Sequence, residues 1–266
     1  MTTSTNKRRV TFDQVALEYD QVRPGYPEAL FDDVVTRSHI PPDGRILEVG
    51  CGTGQATIPF ARRGYQIDGI ELGENLAAVA RHNLAVYPKA KVLVGAFETW
   101  PHEDQMYSLL VSATAFHWID PAVRYQRAAQ VLKPDGHIAL FWNKHVQTAI
   151  SADFFEAVQG IYLREVSAMA RNYPGLPHPK DLLTPVTEEI DQSGLFGEVT
   201  VLRYPWNVDY DSTEYISLLN TYSDHLSLDV AVRGRLFGGI AELIGTQFGN
   251  RITKEYLTIL YLSRRK

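Results

Sequence analysis

The stretch Ile46-Leu-Glu-Val-Gly-Cys-Gly-Thr-Gly54, followed by Gln55, decides the fold. Its first four residues are an apolar run entered through Pro41-Pro-Asp-Gly44, the pattern of a buried strand after a turn. Gly50, Gly52 and Gly54 then let the backbone turn sharply and approach a ligand closely, with a helix N-terminus behind them. The dinucleotide spacing G-x-G-x-x-G fails in both registers: counted from Gly50 its third glycine falls on Gln55, and from Gly52 on Thr57. No Gly-Lys-Ser/Thr follows, so the phosphate loop of nucleotide hydrolases is excluded as well. Glu48 sharpens the point, because a carboxylate just before the loop repels a pyrophosphate and favours a cationic ligand.

Outward from this loop, short apolar runs alternate with helix-length stretches. Gln66–Ile70, Lys91–Val94, Tyr107–Val111 and His137–Trp142 read as further strands. Residues 75–87 place Leu76, Val79, Ala80 and Leu84 on one helical face, and Asp120-Pro121 opens a helix that Lys133-Pro-Asp-Gly136 stops. The alternation predicts parallel pairing. The second half reads differently, with a helix over 152–170, a proline-rich loop Tyr173–Pro179 and a short helix over 185–193 ending at Gly194. Glu198–Tyr204 reads as a strand. Asp211 and Glu214 form a capping box for a helix to about 226, another helix runs to about 248, and Glu255–Leu262 is a last strand. The expected architecture is α/β: a Rossmann-like, seven-stranded mixed sheet with helical cap insertions. Residues 1–145 supply the N-terminal helices and the ligand-binding half, and 146–266 supply cap helices and the last two strands of the same domain.

Composition narrows the function. The 266 residues are 45% hydrophobic and 21% charged, an ordinary globular balance. A net charge of −5 gives no basic footprint for nucleic acid. One cysteine, Cys51, excludes an internal disulfide and a multi-cysteine metal site, and it reads as a buried small residue. No run approaches the roughly 18 apolar residues that cross a bilayer. A cytoplasmic protein without a membrane or nucleic-acid partner and without a metal is the expectation.

Glu71 stands at the end of the second strand run, 17 residues after Gly54 (71 − 54). There a carboxylate can accept hydrogen bonds from both hydroxyls of a ribose. The implied ligand is a nucleoside with a cationic extension and no phosphate, which describes S-adenosyl-L-methionine. The run Ile46–Gly54 closely resembles motif I of class I S-adenosylmethionine-dependent methyltransferases. Ile67–Glu71, Gly95–Glu98, Ser112–Trp118 and Val131–Ala139 follow in that family's order. Upstream, Tyr19–Pro27 resembles the N-terminal segment of its small-molecule branch, the trans-aconitate methyltransferase-like enzymes.

The resemblance implies a set of cofactor contacts. Gly50, Gly52 and Gly54 would line the methionine end, with Glu48 near its ammonium group. Glu71 would hold the ribose hydroxyls, Leu72 would pack on the adenine, and Ala96 and Phe97 would flank it, although relatives often have a small residue at the latter position. Thr114 and Ala115 would sit beside the sulfonium, with Tyr19 and Arg23 closing over the top. The product would be S-adenosyl-L-homocysteine.

Methyl transfer from a sulfonium is a direct displacement that releases a neutral thioether, so alignment supplies much of the catalysis and the leaving group needs no acid. A base is needed only where the acceptor must lose a proton, and His117 is the candidate base or acceptor contact. Against it stands a structural or solvent-facing imidazole. Trp118, Trp142, Tyr222 and His225 are candidate walls for a small organic acceptor, within a cap that also offers Tyr162, Arg171 and Trp206; each serves equally well as core. Missing residues exclude rivals: no cysteine for cytosine-C5 chemistry, no Asn/Asp-Pro-Pro-aromatic motif and no acid cluster for magnesium. O-methylation of a carboxylate or hydroxyl is the expected reaction. A catalytically silent S-adenosylmethionine-fold binding protein is the alternative.

Overall fold

The computed structural model describes residues 13, 16–101, 104–171, 173–182 and 185–266, with only the backbone at Tyr19. Its first half runs α1 (Ala16–Val22), α2 (Glu28–Ser38), β1 (Arg45–Val49), α3 (Thr57–Arg62), β2 (Gln66–Glu71), α4 (Glu74–Asn83), β3 (Ala90–Val94), β4 (Tyr107–Ala113), α5 (Arg124–Val131) and β5 (Leu132–Val146). The second half adds α6 (Ala152–Glu165), α7 (Ser167–Arg171), α8 (Val186–Ser193), β6 (Thr200–Tyr210), α9 (Ser212–Leu219), α10 (Ser223–Leu226), α11 (Val230–Gln247) and β7 (Ile252–Arg264).

The seven strands form one sheet in the order β3-β2-β1-β4-β5-β7-β6. The first five are parallel, and β7 runs antiparallel to both neighbours, β5 and β6. β1 is buried along nearly its whole length, as an apolar run in the middle of a sheet covered on both sides must be. Leu30, Phe31, Phe60, Ala77 and Ala80 from α2, α3 and α4 close one face. Tyr125 and Ala128 of α5 and Ile190 of α8 close the other. A third apolar cluster joins α6, α9 and α11 to the outer ends of β6 and β7 and forms the cap. The strand order reverses between β1 and β4, which opens a crevice at the carboxyl ends of the strands.

The strands expected from periodicity are present, and the last three are longer than the apolar runs that announce them. Local boundaries shift where turns intervene. Asp120 accepts from Ala122 N in a turn, and α5 begins only at Arg124. Lys133–Gly136 lies inside β5 as an irregularity: Leu132 pairs with Tyr107 and His137 with Leu109, and Asp135 takes φ 69°. The expected helix over 152–170 breaks at Val166, the one to 226 breaks after Leu219, and the one over 75–87 stops at Asn83. The capping box is as expected, with Asp211 accepting from Glu214 N and Glu214 from Asp211 N. Gly194 ends α8 at φ 69°.

Candidate functional site

The glycine loop leaves β1 through three consecutive demands on the backbone. Gly50, Gly52 and Gly54 have φ 72°, 57° and 94°, a region that favours glycine. Gly50 is the tightest, since a Cβ there would stand 2.5 Å from the Ala115 Cβ. Gly50 N and Cys51 N both donate to Ile70 O, tying the loop to β2, and Ile58 N donates to Gly54 O as α3 begins. Cys51 is buried, and burial pushes its thiol well above the ordinary range, as suits a packing residue.

Glu71 ends β2 and organises the turn around itself. Its Oε2 accepts from Gly52 N at 2.9 Å and its Oε1 from Gly73 N at 2.9 Å. Burial raises its carboxyl, and those two backbone donors act against the shift. Each oxygen keeps a lone pair for a ligand hydroxyl.

The same crevice is lined by Arg23, Gly50, Gly52, Glu71, Leu72, Phe97, Thr114, Ala115, His117 and Trp118, ten of the residues singled out from sequence. Val49, Ile70, Leu76, Gly95, Ala113 and Ile119 complete the wall. Thr114 follows β4 with φ 55°, costly for a β-branched residue. It is held there by Thr114 N donating to Phe141 O and by a 3.0 Å bond between its hydroxyl and that of Tyr26. Sequence reasoning missed Tyr26, although its Arg-Pro-Gly-Tyr-Pro setting announces a fixed conformation. Phe97 is 1% exposed beneath Arg127, so the bulk that departs from relatives is spent in the core while one edge borders the crevice.

Three sequence candidates stand outside this lining. Glu48 is buried, its Oε2 accepts from the Thr57 hydroxyl at 2.7 Å, and burial raises its carboxyl to about 8. Its other oxygen, Oε1, is buried without a hydrogen-bond partner among the described residues. Gly54 packs on Leu84, and Ala96 lies just off the wall, accepting from Thr99 N and Trp100 N. The side chain of Tyr19 lies outside the described residues.

His117 is arranged as a donor. The Trp142 indole N–H, which can only donate, gives a 3.1 Å bond to His117 Nδ1. That nitrogen is therefore unprotonated, and the neutral ring carries its proton on Nε2. His117 is an exposed residue, and partial desolvation of its ring, with Lys144 and Arg124 acting in the same direction, holds the imidazole below its usual pKa. In this arrangement the Nδ1 lone pair is engaged by Trp142 and Nε2–H is the group left to meet a ligand. Trp142 itself is 6% exposed in β5 and serves as the anchor for His117.

Arg23 borders a second cavity, of about 470 Å³, under the cap. Its guanidinium donates to Thr221 Oγ1 and Thr221 O and stacks 4.5 Å from the Tyr222 ring centroid, while its backbone carbonyl accepts from Gln55 of the glycine loop. Tyr222 and His225, both expected from sequence, line this cavity, whereas Trp142 does not. Tyr222 shares a 3.3 Å hydrogen bond with His145 Nε2. His225 is buried between Asp224, 2.8 Å from Nδ1, and the Tyr162 hydroxyl, 2.7 Å from Nε2. Trp206 donates instead to Thr258 and stacks on Tyr256, and Arg171 is exposed. His145 and Lys254 are cavity residues that sequence reasoning missed.

A seven-stranded sheet with an antiparallel β7, carrying a glycine-loop crevice at its switch point, defines the class I S-adenosylmethionine-dependent methyltransferase fold. Residues 46–136 match the family model described as a methyltransferase domain. An uncharacterized methyltransferase of Mycobacterium tuberculosis is 30% identical over 143 residues, 54% of this chain and 56% of the relative. The chain thus spans about half the length of that curated relative. A methyltransferase-like protein of Schizosaccharomyces pombe is 23% identical over 96% of each chain. Among solved structures, Haemonchus contortus phosphoethanolamine N-methyltransferase 2 in complex with S-adenosyl-L-methionine superposes with a TM-score of 0.53 at 16% identity, covering 95% of this chain and 57% of that one.

Proposed function

We propose that this protein transfers the methyl group of S-adenosylmethionine to an oxygen, carboxylate or hydroxyl, of a small organic acceptor held beneath the cap. The observation that carries the reading is Glu71, a carboxylate with both oxygens fixed by backbone donors and facing a phosphate-free glycine crevice. That donor set suits a ribose diol next to a cationic chain and not a pyrophosphate. Gly50 and Gly52 would border the methionine portion, Leu72 and Phe97 the base, and Thr114 and Ala115 the sulfonium. When bound, the cofactor supplies an electrophilic methyl group and leaves as a neutral thioether.

The chain's own residues then have three tasks. Arg23, pinned to Thr221 and Tyr222, borders both the crevice and the second cavity and fixes the direction of approach. His117 Nε2–H donates to an acceptor oxygen and orients it. Burial keeps water from the reacting centre. A carboxylate acceptor needs no base.

Residues 1–145 and 146–266 act as one unit, since Leu47 and Leu110 share a core cluster with Ile190 and Leu257. A small-molecule acceptor and a cytoplasmic setting go with the net charge of −5, and no helix among the described residues is long and apolar enough to cross a membrane.

Calorimetric titration with S-adenosylmethionine, S-adenosylhomocysteine and NAD tests the reading. Both sulfur ligands are expected to bind, and Glu71→Gln is expected to weaken them by about 10–100-fold, the loss of a charged hydrogen-bond acceptor. Binding of NAD alone would overturn the assignment of the glycine loop.

A further inference from the structure

Lys254 is folded into the cap with nothing to answer its charge. It is 3% exposed and lines the second cavity. Its Nζ lies 5.2 Å from the Phe155 ring centroid and 5.6 Å from that of Tyr256. Among the described residues it makes no hydrogen bond and no ion pair. Aromatic faces attract a cation, yet they leave its three N–H donors without oxygen acceptors.

The surrounding charges do not complete it. Arg23 lines the same cavity with a like charge, and His145 beside them is held neutral by burial and by the nearby cations. Burial and Arg23 together lower the Lys254 amine to about 7. Glu255, the next residue, accepts from Thr148 and Ser151 instead. Asp224 reaches the cavity wall, where its Oδ1 is engaged by His225. An amine buried without a partner destabilises the empty protein. A ligand that brings an anion removes that penalty.

We propose that Lys254, with Arg23 beside it, anchors the carboxylate of the acceptor, which makes the acceptor an organic acid. The rest of the wall gives the acid its body. Phe155, Val158, Tyr215 and Leu219 present apolar and aromatic surface, so the acid carries an aliphatic or aromatic chain and not a second charge. The ammonium holds the carboxylate through charge-assisted hydrogen bonds, stronger here than at a surface because Lys254 is buried. The inference rests on the methyltransferase reading for its biological role, and it concerns the same active site.

Thermal unfolding of the full chain tests it, with sodium phenylacetate and sodium hexanoate as probes and the matching amides as uncharged controls. Wild type is expected to gain Tm with the acids and not with the amides. Lys254→Met is expected to unfold at a higher temperature than wild type without ligand and to lose the acid response, its carboxylate affinity falling about 30-fold or more. Lys254→Gln is expected to lose the acid response too. Acids that leave the wild-type Tm unchanged, acids that stabilise both variants as much as wild type, or a Lys254→Met protein less stable than wild type would each overturn the proposal. S-adenosylhomocysteine titrated in parallel keeps the two readings apart. Equal binding by wild type and variants is expected, and its absence from wild type would defeat the methyltransferase reading while the acid response stood on its own.

Discussion

The crevice and the cap cavity share Arg23 and little else in how they are made. The crevice is drawn mostly by backbone at the ends of four neighbouring parallel strands: the 50–54 loop, the Glu71–Gly73 turn, Gly95 and the Thr114–Ile119 segment. The cavity is drawn by side chains from Arg23 just after α1 and from β5, α6, α7, α9, α10 and β7, which lie far apart in sequence. A backbone-built site needs glycines and left-handed residues at fixed places, so it constrains the sequence locally. A side-chain-built site needs only that certain residues meet, and many sequences achieve that.

Mutations sharpen the contrast, most of all at the glycines. Gly50→Ala would thrust a Cβ to 2.5 Å from Ala115 at φ 72°. The expected loss is about 2–3 kcal/mol of stability, with nucleoside binding abolished. Gly52→Ala meets nothing within 4 Å and carries only the left-handed penalty, about 1–2 kcal/mol. Chemical denaturation of the two variants decides the matter: equal losses would mean that the loop is not fixed by close approach to Ala115.

The cap should answer to pH through His145, as the crevice does through His117. Burial, then Lys254, Arg23 and Lys144, holds the His145 imidazole well below its ordinary pKa. The unfolded chain takes up that proton near pH ~6.5 and the native protein does not, so stability is full above that value and falls as pH drops below it. His145→Gln is expected to flatten the dependence of denaturation midpoint on pH between about 6.5 and 5. An unchanged slope would place the titration elsewhere. The smallest effect belongs to Tyr162→Phe, which removes one hydrogen bond to His225 and is expected to lower stability by about 1 kcal/mol. S-adenosylhomocysteine affinity should stay at the wild-type value, and a fall would show that the two regions are not independent.

The contrast also explains what was legible. Alternating strand and helix signals gave the sheet, and the glycine pattern gave the loop and Glu71, because parallel strands and tight turns leave marks in neighbouring residues; Arg23, Leu72, Phe97, Thr114 and Ala115 came from the family resemblance. Glu48 could be placed beside the loop from sequence, but its burial against Thr57 is set by the fold and not by its neighbours in the chain. His117 was placed at the crevice correctly, but its proton is set by Trp142, 25 residues away. Lys254 and Glu255 together look like an exposed strand end; only the cap helices, laid over the outer part of β7, make them buried. The helix breaks after Leu219 and at Val166 follow from tertiary packing that no local period encodes.

β7 has one more consequence. Thr258, at its centre, accepts from the Trp206 indole on β6 and donates to Asn143 on β5, 115 residues earlier in the chain. Asn143 in turn donates to Gly25 O in the segment that carries Arg23. The sheet therefore cannot close by local pairing alone: the β5–β7 seam must wait for a loop of that length to find its ends, and such non-local pairings make folding slow. The five parallel strands can gather first, but the crevice they surround gains its Arg23 wall only when the latest-forming seam has zipped.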